Sequence, residues 1–139
     1  MSKGNATEND LMKFFFNLDA MPAYGAVLYL SLHTSDPGEG GDQTSNEVTV
    51  GEYTSYLRIG VSRDAAGWSV VDNQSSNIAL LQFPKCTGGT GATLTHIAIG
   101  TLAAGAGQIL YSGILDAPLN VSNLVQPQFA IGGLVVQED

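Results

Sequence analysis

The first clear periodicity lies near the start. Leu11, Phe14, Phe15 and Leu18 fall at i, i+3, i+4 and i+7, one face of a helix. Thr7 with Asp10 three residues on approximates a capping box, and Pro22 and Gly25 close the segment. The spacing predicts one amphipathic helix over about 8–20, preceded by a flexible polar arm at 1–7. Residues 8–139 are then a single domain.

After the helix the period changes to two. In AVLYLSLHT (26–34) Leu28, Leu30 and Leu32 alternate with Tyr29, Ser31 and His33, so the leucines are the expected core face. Further strands are predicted at 56–63, 68–71, 76–84, 93–101, 107–115, 118–121 and 129–137. The runs IALL and GLVV lack alternation, which predicts strands covered on both faces, with the helix as one cover. SDPGEGGDQTSNE (35–47) reads as a long polar loop and TGGTG (87–91) as a glycine turn. Connections this short exclude crossover helices, so pairing is antiparallel. The expected fold is mainly β: a jelly-roll or immunoglobulin-like sandwich of seven or eight strands with one N-terminal helix.

Composition changes this picture in two places. Five basic residues face thirteen acidic ones, a net charge of −8 with no basic cluster, which argues against nucleic acid as a partner. Only 13% of the 139 residues are charged, against about 25% in an average soluble domain. A surface rich in small uncharged groups loses little solvation when another subunit covers it, which favours life in an assembly. No apolar run reaches the roughly 20 residues of a membrane span, so no membrane partner is expected and the chain reads as soluble, folding in a reducing cytosol.

Candidate chemistry is sparse. Asp36, Glu39 and Asp42 lie close enough to suggest a hard cation, but they do not fit the EF-hand pattern and read as a solvated turn. His33 and His96 sit within predicted strands and read as structural, with Asp36 in reach of His33. Cys86 is the single cysteine and reads as a small apolar residue. There is no nucleophile elbow and no phosphate loop. The expectation is a protein that is not an enzyme, with no catalytic residue, metal or cofactor. Phe16 lies roughly 140° from Leu11 on the helical wheel, off the apolar stripe. It is a candidate subunit contact, together with Lys3 on the arm and Tyr29, Tyr53 and Tyr56.

The order of motifs is informative. A short helix is followed by VLYLSLHTSDPG, YLRIGVSR, a W-x-V strand, IALLQFP, THIAIGT, ILYSGIL and QFAIGGL. From about residue 10 to 139 this resembles a family of small tailed-bacteriophage structural proteins, whose members carry L-Y-L-x-L-x-T-x-D-P-G, G-Y-A-R and T-H-x-G-I-G-T at matching places. Here G-Y-A-R appears as Ser55-Tyr56-Leu57-Arg58, and Ala98 replaces a glycine. The resemblance implies a virion protein assembled in the bacterial cytoplasm. The leading expectation is a capsid decoration (cement) protein that binds the outside of the major capsid protein lattice and copies of itself, as a trimer or dimer. The alternatives are a tail or tail-fibre component, or a carbohydrate-binding module presenting the Asp36–Asp42 loop with Tyr24, Tyr29, Tyr53 and Tyr56.

Overall fold

The computed structural model describes residues 1–138. The chain forms β1 (Ser2–Lys3), α1 (Asn5–Phe16), β2 (Val27–His33), β3 (Ile59–Ser62), β4 (Trp68–Val71), β5 (Gln74–Asn77), β6 (Leu81–Gln82), β7 (Ala92–Gly100), β8 (Ile109–Val121), β9 (Gln128–Phe129) and β10 (Val135–Gln137). All pairs are antiparallel. The sheets run β1-β8-β7-β2-β3, β10-β5-β4 and β6-β9. Ten strands in three sheets replace the seven or eight expected. The fold is mainly β with one short helix, as the spacing predicted.

The core joins all three sheets. Leu30, Leu32, Ile97 and Ile99 of the large sheet pack in one buried cluster with Leu81 and Val136 of the small ones, around Tyr53 and Phe83. The burial of β2 does not alternate: Val27, Leu28 and Tyr29 are half-buried, and Leu30 to His33 are four consecutive buried residues. The loop over 35–47 causes this: it folds back over the other face of the sheet. Val48 N–H bonds Leu32 O and Gln43 N–H bonds Gly107 O.

Several boundaries move. The segments 107–115 and 118–121 form one strand, β8. Pro118 falls where the β7–β8 ladder is interrupted, between the His96–Ile114 and Leu94–Leu119 pairs. Its missing N–H therefore costs no ladder bond. The segment 129–137 divides into β9 and β10, and 76–84 into the end of β5 and β6. The run IALL is not covered on both faces, since Ile78 and Leu80 are exposed.

The N-terminus differs most. The expected flexible arm is ordered from Ser2, as Ser2 pairs with Ser112 and Lys3 with Tyr111. Gly4 makes this possible, because a Cβ there would lie 2.5 Å from Ile109 O. The helix starts at Asn5, three residues early. Gly4, not Thr7, is its N-cap. Thr7 is buried and donates its hydroxyl to Ile109 O at 2.9 Å.

The helix also docks the opposite way round from the expectation. Its inward side is polar: Gln108 Nε2 bonds both Thr7 Oγ1 (3.0 Å) and Asp10 Oδ2 (3.1 Å), and Tyr24 OH donates to Asp10 Oδ2. Leu11 is half-buried, while Phe14, Phe15 and Leu18 are exposed, Leu18 at 98%. The helix main chain is tied down at its start, Gly4 N–H to Leu110 O and Asn5 N–H to Glu39 O, while Met12 to Phe16 are exposed.

Candidate interaction surface

Two kinds of surface stand out once the fold is assembled: an aromatic projection and two grooves between the sheets. The projection is the C-terminal half of α1 and Leu18 just beyond it. Met12, Phe14, Phe15, Phe16 and Leu18 are 57, 47, 68, 75 and 98% exposed. Phe14 and Phe15 pack edge to face, 5.4 Å between ring centroids. A helix in a globular protein normally turns its apolar stripe to the core. This one holds its own sheet with polar groups and keeps its aromatic side in water.

The grooves lie along the seams between sheets. One, of about 790 Å³, runs between β7–β8 and β9–β10 and is lined by His96, Ile114 and Phe129. The other, of about 890 Å³, has walls from the large sheet (Leu28, Ile99, Tyr111) and from the three-stranded sheet (Trp68, Val70, Val136). Arg63, Asp64, Asp72 and Glu138 stand among its lining residues. Trp68 Nε1 is a buried atom without a hydrogen-bond partner among the described residues.

The residues singled out from sequence are dispersed. Phe16 is at the tip of the projection. Lys3 is half-buried and pairs with Glu138 at 2.5 Å, so it fastens the two ends of the chain. Tyr29 is half-buried on β2. Tyr53 and Tyr56 are corrections: both are buried, at 0 and 7% exposure, and neither can reach a neighbouring subunit or a glycan. Tyr53 donates to Pro84 O, and burial pushes its phenol up to about 12. Tyr56 belongs to a network that the sequence did not reveal. Its hydroxyl donates to Glu47 Oε1 (2.7 Å) and accepts Leu32 N–H (3.0 Å). Arg58 grips the same carboxylate with two 2.7 Å bonds and donates to Leu102 O and Gly105 O. Burial alone would lower the Arg58 pKa, and the Glu47 bonds and charge more than offset it, so the guanidinium is held charged. Burial first, then Glu47, raises Tyr56, which stays a neutral donor.

The acidic loop does not converge. Asp36 Oδ1 accepts Gly38 N–H, Glu39 accepts the Ser2 hydroxyl, and Asp42 Oδ1 accepts the Thr44 hydroxyl and N–H. The Thr44 bonds hold the Asp42 carboxyl below its ordinary range. Asp36 and Asp42 shape turns in their own loop, and Glu39 ties it to β1.

His33 is fully buried and does not bond Asp36. Its Nδ1 lies 2.8 Å from Ser45 O and its Nε2 2.8 Å from Ser31 Oγ. A carbonyl can only accept, so Nδ1 carries the proton and Nε2 accepts from Ser31. His96 is its cross-strand partner but bonds Thr95 Oγ1. Burial depresses the His33 pKa, outweighing the Ser45 bond and the Glu47 charge. A depressed pKa means the unfolded chain takes the proton first. Stability is therefore full above about pH 6.5 and falls as pH drops below it, until the folded pKa is passed. The melting temperature is expected to decline between pH 7 and 5, and less so in His33→Gln. Parallel pH profiles for the two proteins would show that His33 is not responsible.

Apolar contact area on a stiff antiparallel scaffold is what a protein that works by assembling requires. Residues 2–137 match the family described as Podophage GP4 fiber I protein gp80, and the chain belongs to that family. A search of curated proteins finds no match. The resemblance to phage structural proteins thus holds at the level of the family. Among the readings drawn from it, the fibre alternative fits this family better than capsid decoration does.

Proposed function

We propose that this protein is a structural subunit of a podophage fibre, acting through protein–protein contacts and not through catalysis. The match over residues 2–137 to a phage fibre family carries the reading. The outward aromatic face of α1 supports it, since contiguous exposed apolar area of this size marks an interaction site. The large sheet facing the two small ones across a shared core is, in this reading, a β-sandwich that keeps the contact surfaces rigid. Its partners are other virion proteins and further copies of itself. With a net charge of −8 it avoids the genome while particles assemble in the bacterial cytoplasm.

Labelling purified particles with an antibody to this chain, alongside gel densitometry, tests the reading. Label on fibres and a copy number far below that of the major capsid protein are expected. Label spread over the head, at a copy number equal to the coat, would return the decoration reading in its place.

A further inference from the structure

We propose that copies of this chain join head to tail, with the Phe14–Leu18 segment that ends and follows α1 in one copy seated in the groove between the five- and three-stranded sheets of the next. The inference deepens the fibre reading and rests on it only for the setting.

Size is the first argument. Scaled by their exposure, three phenylalanines of about 200 Å² each, with Met12 and Leu18 added, offer on the order of 600 Å² of apolar surface. A stable interface needs about 800 Å² per partner, so the projection supplies most of one side. The receiving groove, about 890 Å³, is walled by Trp68, Tyr111 and aliphatic side chains. Aromatic side chains are the usual anchors of such pockets.

Charge is the second. Lys13 lies beside the phenylalanines, is exposed, and has no ion-pair partner among the described residues. Asp64 and Asp72 line the groove, are exposed and are likewise outside both ion pairs. Glu138 is engaged by Lys3, and Arg63 donates to Gly25 O but keeps its charge, so the groove holds both signs with carboxylates in excess. The docked end therefore brings Lys13 on one side and Asp19 on the other to a groove holding Asp64, Asp72 and Arg63.

Topology is the third. The groove lies between the sheets and no α1 residue lines it, so donor and acceptor are different patches. Unless two copies exchange these patches reciprocally and close as a two-fold pair, such a contact is heterologous and repeats into a ring or an open filament.

Sedimentation of the full chain over a range of concentrations tests this, with two surface variants. Phe15→Glu/Phe16→Glu disables the projection, and Val70→Glu disables the groove at a residue 72% exposed. Far-UV spectra and melting temperatures confirm that both fold. The unaltered chain is expected to grow past a dimer as concentration rises. Each variant alone should need about tenfold more protein or greater to associate. Mixed together, they should form a 1:1 pair that grows no further, because one good projection meets one good groove. Trp68 is the single tryptophan, so its emission should shift on mixing. A Val70→Glu protein that still associates normally would indicate projection-to-projection pairing and overturn the proposal. So would an unaltered chain that stays monomeric, or a mixture with no heterodimer. The fibre reading is tested on particles and this contact in solution, so each can fail without the other.

Discussion

Replacing Arg58 with methionine is expected to lower stability by about 3–5 kcal/mol, the usual cost of removing one member of a buried ion pair. The Arg58 side chain is 3% exposed and that of Glu47 is 14%. Removing the guanidinium leaves the Glu47 carboxylate with the Tyr56 hydroxyl and no counter-charge. It also strips a donor from Leu102 O and from Gly105 O, so the 102–105 loop loses its anchor. Urea unfolding measures the loss. The double variant Glu47→Gln/Arg58→Met should recover part of it, because no charge is then stranded. A loss under about 1 kcal/mol would place the pair among surface bridges of little energetic weight.

The second large effect is expected at Asn77, which is 1% exposed. Its Nδ2 donates to Ala79 O and Ala130 O at 2.7 and 2.8 Å, and its Oδ1 accepts Leu134 N–H at 2.8 Å. One carboxamide thus holds the turn that delivers β10 to β5. Asn77→Ala abandons three polar groups, each costing about 1–3 kcal/mol when left unpaired and dry. Water entering the space offsets part, so a net loss of about 3 kcal/mol is expected. Because Val136 of β10 walls the larger groove, the variant should also weaken the self-association proposed above. Hydrogen exchange checks the assignment: the amides of Val135–Gln137 should lose protection first. Protection lost evenly across the chain would show that Asn77 is not a local clasp.

How much of this was legible in the chain follows from which residues set each feature. β2, β4 and β7 lie within a residue of their predicted bounds, because alternation is a local signal written in consecutive residues. The existence of α1 was legible for the same reason. Its orientation was not: periodicity shows that Leu11, Phe14, Phe15 and Leu18 share a side, not which way that side faces. Gln108, a hundred residues away, decides this by bonding Thr7 and Asp10. Distance in sequence also hid the pairing of Ser2 and Lys3 with β8. Tyr53 and Tyr56 sit in a non-repeating stretch, where aromatic side chains carry no period to mark them as core. Of the candidate contacts, Phe16 alone was legible as off the stripe, and the exposed surface proved to include the stripe as well.

The Lys3–Glu138 pair has a practical outcome. Since Lys3 and Glu138 touch, a short bridge of glycine and serine beside them could join β1 to the segment after β10, and the loop after α1 could be opened to make fresh ends. Such a permutant would carry a fluorescent tag beside the aromatic projection, where elongation of a fibre could be watched as it happens.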